Sequence, residues 1–305
     1  MRWLVASLLV FILIAPGCRQ QEQQKNGKLQ VVTTLFPLHD FAKRIGGEKA
    51  QVSLLLPPGV EPHSFEPRPE DIVRVNRADL FIYTNPVMEP WAASIVAGVD
   101  RGKVAIVEGG KGIPLMKAPE VKGHEHEGEH AAVDPHIWLD LDNARLIALN
   151  ILAAYTSKDP ANKAYYQQNA AGLTKDLAAL DQRYRETLAK SSKKVFLHGG
   201  HYAFGYLAKR YGLKYVSASA VNADSEPTPA KLAELVQLMR SEHLNYVYTE
   251  ELLSPRLAET IARETGAQVL MLSAGHNLSR DQFERGETFI SIMEQNLKNL
   301  QAGLQ

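Results

Sequence analysis

Short apolar runs alternate with longer periodic stretches through most of this chain. Runs at 31–35, 52–56, 80–83 and 104–107 are rich in Val, Leu, Ile and aromatic residues, as strands buried on both faces are. Between them, 70–78 and 91–99 carry apolar residues at helical spacing. A second series follows, with runs at 195–197, 215–217, 246–249 and 269–272 and helical patterns over 202–211, 230–241 and 255–265. Strands alternating with helices predict parallel sheets covered on both faces, here one in each half. The segments 79–84 and 245–250 look like equivalent strands of the two halves.

The clearest helix lies between the series. Tyr166, Ala170, Leu173, Leu177, Leu180, Tyr184 and Leu188 recur at spacings of three and four, which places one apolar stripe on one face. Pro160 stands near its start and Ser191-Ser192 near its end. A helix over 161–190 is about 45 Å long at 1.5 Å per residue. Such a rod braces two lobes along their length. A coiled-coil dimer helix is the competing expectation, disfavoured by the Lys and Gln scattered beside the stripe. The fold class expected is therefore α/β: two parallel-sheet (β/α) lobes, 28–158 and 193–305, joined by one long rigid helix within 159–192.

The N-terminus departs from this pattern. An apolar run at 4–15 follows Arg2, too short for a comfortable membrane span and suited to a signal-peptide core. It ends at Ala15-Pro16-Gly17-Cys18, and Cys18 is the only cysteine, so no internal disulfide exists. Small residues before that cysteine suit a bacterial lipoprotein cleavage site, although Ala15 stands where leucine is expected. We expect a signal peptide over 1–18, a lipid on Cys18 and a polar tether over 19–27. An ordinary cleaved signal with an incidental cysteine is the alternative. Composition changes the picture little. Lys+Arg and Asp+Glu both number 34, so no basic face for nucleic acid is implied.

Candidate chemistry resides in histidines. His63 follows Val60-Glu61-Pro62, His136 follows Asp134-Pro135, and His201 follows His198-Gly199-Gly200 in an aromatic-rich stretch. Neutral imidazole is the commonest ligand for zinc and its neighbours, and a preceding proline limits the entropy lost in holding the ring. In open α/β sheets, ligands bind beyond the carboxyl ends of strands. His63 follows the 52–56 run, His201 the 195–197 run, and His276 the 269–272 run through Ser273-Ala274-Gly275; His136 precedes a helix expected near Asp142. Two ligands from each lobe predict a metal in the cleft between them. Four side chains close a tetrahedral shell and leave no open position for catalysis. Glu61, Asp134 and Asp140 are candidates to orient the rings through their second nitrogens.

The stretches Pro57-Pro58-Gly59-Val60-Glu61-Pro62-His63, Asp134-Pro135-His136-Ile137-Trp138, His201-Tyr202-Ala203-Phe204-Gly205-Tyr206, Lys209-Arg210-Tyr211-Gly212-Leu213 and 288–297 together resemble the metal-binding lipoproteins of bacterial ABC importers for zinc and manganese. The likeness covers essentially everything after the tether. It implies two α/β lobes on a rigid helix. It also implies capture of a divalent metal outside the cytoplasmic membrane for delivery to a permease and its ATPase, by a non-enzymatic protein expected to be monomeric. His63, His136 and His201 fall on the usual ligand positions of zinc-type members. The fourth position departs, because many members place aspartate after the last strand where this chain has Leu272-Ser273-Ala274-Gly275-His276. His276 is the leading candidate there; Glu250, Glu251, water or another carboxylate remain open. His198 rivals His201 from the strand end itself, and otherwise serves as an outer donor or a core residue. His39 and His243 are expected to be ordinary surface or packing residues.

The segment 122–130 alternates His124, His126 and His130 with glutamates between glycines, a compositional metal-binding signal that resembles the His-rich loops of zinc-type members. An auxiliary zinc-collecting loop is one expectation, a merely solvated loop the other. An imidazole-rich set favours Zn2+ over Mn2+, which prefers carboxylate oxygen. A zinc hydrolase is the less favoured rival, lacking a His-Glu-x-x-His motif and an open coordination position. A surface adhesin, or a manganese-specific member of the same family, is the other.

Overall fold

The computed structural model describes residues 27–118, 133–219, 221 and 228–305. The expected signal segment with Cys18, the tether up to residue 26, and the loop with His124, His126 and His130 lie outside the described residues.

The first half runs β1 (Leu29–Thr33), α1 (Phe36–Gly46), β2 (Ala50–Leu54), α2 (Pro69–Asn76), β3 (Leu80–Tyr83), α3 (Ala92–Gly98) and β4 (Ala105–Glu108). A short antiparallel pair follows, β5 (Met116–Lys117) with β6 (Val133–Asp134), then a 3-10 turn at Ile137–Leu139 and α4 (Leu141–Lys158). The long helix is α5 (Lys163–Ala189). The second half runs β7 (Val195–His198), α6 (Gly205–Tyr211), β8 (Lys214–Ser217), α7 (Pro229–Ser241), β9 (Tyr246–Thr249), α8 (Arg256–Thr265), β10 (Gln268–Met271), α9 (Arg280–Glu284) and α10 (Phe289–Gly303).

The strands form two parallel four-stranded sheets, ordered β2-β1-β3-β4 and β8-β7-β9-β10. The two orders are equivalent. In each, the connections reverse direction between the first and third strands of the half, β1 and β3 or β7 and β9. That reversal opens a crevice at the carboxyl ends of the strands, where ligands of such sheets sit.

One face of each sheet is covered by its own helices. Val32, Phe81, Val75 and Ile95 fill the outer layer of the first lobe, and Leu197, Val247, Leu235 and Ile261 that of the second. The other faces share one core built around α5. Its stripe of Tyr166, Ala170, Leu173, Leu177, Leu180, Tyr184 and Leu188 is wholly buried. The stripe meets Phe41 and Ile151 of the first lobe and Tyr206 and Met293 of the second in one continuous cluster. The stripe is thus satisfied within a single chain, without a coiled-coil partner. At 27 residues α5 is about 40 Å long. Arg210 on α6 adds a polar tie, donating to Asp140 ahead of α4 at 2.7 Å and to Asp181 on α5 at 2.7 and 2.8 Å.

Observed bounds differ from the expected ones for physical reasons. β1 and β2 each start two residues earlier than the apolar runs. The ladder extends through Gln30 paired with Gln51, whose backbone bonds do not depend on apolar side chains. The helical pattern over 202–211 becomes helix only at Gly205, because the preceding residues form the turn that carries His201. The two-residue strands β5 and β6 are too short to leave a periodic signal. His39 is buried on α1, its ring 5.6 Å from that of Phe283, and His243 is exposed just past α7.

Candidate metal centre

Each candidate imidazole is presented by a constrained piece of backbone. Beyond β2, Leu55 donates to Thr33 at 2.7 Å and so prolongs the parallel ladder. The chain then turns at Gly59, whose φ of +87° is one that residues with a Cβ avoid. The Trp91 indole donates to the Pro62 carbonyl at 3.1 Å and holds the loop just before His63. His136 follows β6 across Pro135. His201 leaves β7 through Gly199-Gly200, where a Cβ on Gly200 would lie 2.0 Å from Glu250 Oε1. Only glycine lets the turn lie against that carboxylate. His276 follows β10, where Ser273 is gripped by Asn296 of α10. The Ser273 amide donates to Asn296 Oδ1 at 2.9 Å, and the Asn296 amide donates to the Ser273 carbonyl at 2.7 Å.

The four rings converge between the lobes. His136 Nε2 lies 3.3 Å from His63 Nε2 and 3.2 Å from His201 Nε2. The His276 ring centroid lies 5.7 Å from that of His201, 6.2 Å from that of His136 and 6.3 Å from that of His63. His136, His201 and His276 are buried, and His63 is partly open. At Zn–N distances of about 2.0–2.1 Å, tetrahedral coordination separates neighbouring nitrogens by about 3.3–3.4 Å. The observed Nε2 separations match that spacing.

Two carboxylates set the tautomers. Asp134 Oδ1 accepts from the His136 amide at 3.0 Å and lies 2.9 Å from His136 Nδ1. Glu250 Oε1 does the same for His201, at 3.1 and 2.9 Å. With the ring proton on Nδ1, each Nε2 presents a lone pair. Two such lone pairs 3.2 Å apart repel unless a cation or a proton lies between them.

The titration behaviour follows. Burial, reinforced by the neighbouring His201 charge, holds His63 and His276 down to about 3 and His136 well below its ordinary value. Burial also pulls His201 down, but the Glu250 carboxylate overcomes it, with help from Glu61 and Asp134, and leaves its pKa raised. Burial pushes Glu250 up, yet the His201 charge and hydrogen bond bring it to about 2. Asp134 is lifted to about 7 by burial, against the bond from the His136 amide. His201, raised by Glu250, is thus the ring among the four that takes up a proton first as pH falls.

The remaining candidates fall elsewhere or take other roles. His198 is buried with its ring 4.9 Å from that of Phe204, and its Nδ1 accepts from the Gly200 amide at 3.2 Å. Among the described residues, two groups bring ligand atoms within 4.8 Å of one another: His63, His136 and His201, and His201, Glu250 and His276. His198 is in neither. Glu251 accepts from the Ser273 hydroxyl at 2.6 Å. The expectation that Asp140 or Glu61 orients a ligand ring is corrected. Asp140 caps α4 through the Asp142 amide at 2.8 Å and pairs with Arg210. Glu61 accepts from the Ser64 amide at 2.9 Å.

Sequence reading did not foresee Glu250 as the orienting partner of His201, nor the Tyr215 hydroxyl, which donates to the His201 carbonyl at 3.0 Å. The signal for Glu250 was its place at the carboxyl end of a strand across the crevice from β7.

Two (β/α) lobes spanned by one long helix, with imidazoles meeting in the crevice between them, define the class of helix-bridged solute-binding proteins. The chain belongs to the family described as ZnuA, zinc-uptake complex component A, periplasmic, which matches residues 31–303. Members of this family are metal-binding transport components. The chain is 39% identical to the high-affinity zinc uptake system protein ZnuA of Bacillus subtilis, an alignment covering 96% of this chain and 94% of that one. Its fold is similar to the crystal structure of the metal-dependent lipoprotein YcdH of Bacillus subtilis (TM-score 0.80, 40% identity, 91% of this chain and 100% of that one). It is also similar to the Zn(II)-bound ZnuA-like domain of Streptococcus pneumoniae AdcA (TM-score 0.78, 34% identity, 91% and 99% covered).

Proposed function

We propose that this chain is the extracytoplasmic binding component of an ABC importer and that its cargo is Zn2+, held by His63, His136, His201 and His276 and passed to a membrane permease driven by its ATPase. The observation that carries this is the pair of carboxylate-oriented imidazoles whose Nε2 atoms face each other at 3.2 Å, with His63 Nε2 3.3 Å from that of His136. Such a nitrogen set suits zinc and disfavours manganese. We take His276 to complete the shell, with Glu250 Oε1 engaged by the amide and Nδ1 of His201. Four protein ligands leave no open coordination position, so the site stores and releases an ion rather than activating water.

Acylation of Cys18 tethers the protein to the membrane, and mass spectrometry of the membrane fraction would show the lipid. No helix among the described residues is long and apolar enough to cross a membrane. The 122–130 segment gathers zinc weakly ahead of the main site. The protein acts as a monomer, its lobes 28–158 and 193–305 flanking the helix within 159–192, and sedimentation would detect any dimer.

Calorimetric titration of the apo protein tests the ligand set. If about 10–16 kcal/mol of zinc affinity is shared by four ligands, removing one costs about 3 kcal/mol, roughly 100-fold. His63→Ala, His136→Ala, His201→Ala and His276→Ala each lose about that much, whereas His198→Ala and deletion of 122–130 retain the single tight site. A His276→Ala protein with wild-type affinity would remove His276 from the shell. Zinc accumulation unchanged in cells lacking the protein would favour an adhesive role.

A further inference from the structure

The loop that carries His276 belongs by sequence to the second lobe, where Asn296 grips Ser273 at its start, yet beyond Ser273 several of its hydrogen bonds run to the first lobe. The Trp138 indole, two residues from His136, donates to the Ala274 carbonyl at 2.8 Å. The Phe36 amide at the start of α1 donates to the carbonyl of His276 itself at 3.1 Å. The Gly59 amide donates to the Leu278 carbonyl at 2.7 Å. At the centre is Asn277, fully buried, whose side-chain nitrogen donates to both the Pro57 and Val60 carbonyls, each at 2.8 Å. Its Oδ1 accepts from the Leu278 amide at 2.9 Å, which fixes the orientation of the amide. All the hydrogen-bonding groups of this side chain are therefore engaged, and two of its three bonds cross to the loop leading into His63.

We propose that Asn277 is a positioning residue: it spans the lobe boundary and sets the separation between His63 and His276, so that both imidazoles reach one ion. The proposal rests on the four-imidazole reading above. The chemistry is specific to the carboxamide. Two carbonyls converging on one buried atom require a group with two protons to donate and no negative charge. Aspartate would repel both carbonyls, and alanine would leave them buried without partners. The His276 ring has no comparable anchor, since its buried Nδ1 has no hydrogen-bond partner among the described residues. Its backbone must therefore do the aiming. The clamp ties the His276 loop to the first lobe in addition to its Ser273–Asn296 anchor in the second, while His201 is held by Glu250 and Tyr215 of the second lobe alone.

The test uses Co2+ as a coloured substitute for zinc, in the wild type, Asn277→Ala, Asn277→Ser and His276→Ala. Wild-type protein shows the intense visible bands of four-coordinate cobalt; weak six-coordinate bands there would sink the four-imidazole reading itself, whatever Asn277 does. Given the wild-type bands, folded Asn277→Ala shows them weakened toward the His276→Ala spectrum, with metal dissociating about tenfold faster, the lower end for lost outer partners of ligands. Asn277→Ser, with one proton to donate, falls between. Bands and dissociation rate unchanged in Asn277→Ala would overturn the proposal. So would failure of both variants to fold, which would make the amide a determinant of the fold and not of the site.

Discussion

His136 and His201 can both turn an Nε2 lone pair toward the centre only because Asp134 and Glu250 hold their Nδ1 protons. The same carboxylates govern the response to pH. Glu250 keeps the His201 pKa raised, so in the apo protein below that pKa a proton occupies the place of the cation. Burial places Asp134 at about 7, so it too carries a proton as the solution becomes acidic. His63 and His276, held at about 3, stay neutral and offer zinc no competition. A protonated imidazole cannot ligate, so affinity is highest above the raised His201 pKa and falls as pH drops through it. Between one and two protons leave per zinc bound near pH 6, measurable from calorimetry in buffers of differing ionisation enthalpy. Glu250→Gln reduces that number and weakens zinc about 10–100-fold. Release of no proton, or of three or more, would contradict this assignment. Asp134 was legible in the sequence from its position two residues before His136. Glu250 was named only as a possible ligand, because nothing local reveals that β7 and β9 are neighbours in the sheet.

Among the elements, α5 was the most legible, since seven buried positions at helical spacing leave little ambiguity. The eight strands of the two sheets were legible along the chain, but the short β5 and β6 and the order of strands within each sheet were not, and β1 and β2 extend through glutamines that an apolar-run reading omits. The turns bearing His201 and His276 were the least legible. Their shape depends on Glu250 behind Gly200 and on Asn296 of α10 behind Ser273, contacts made across tens of residues. The brace should be separable from the site. Leu177 is fully buried in the stripe, so Leu177→Ala costs about 2–5 kcal/mol of stability. Denaturant unfolding should show that loss, while the zinc dissociation constant changes less than threefold. A large affinity loss with little destabilisation would mean that α5 acts on the site directly.

At the scale of the molecule, two equivalent sheets offer one crevice each, and the imidazoles meet where the crevices face. The shared core around α5, the Arg210 hub and the bonds from the His276 loop to the first lobe all resist wide opening. We expect release of cargo to proceed by small displacements that pull one imidazole of the proposed shell away from the other three. X-ray absorption at the zinc edge on the loaded protein tests the convergence most directly. The proposed shell requires four nitrogen neighbours at about 2.0–2.1 Å with the outer-shell signature of imidazole rings. A shell with fewer than three imidazoles, or one dominated by oxygen, would contradict it.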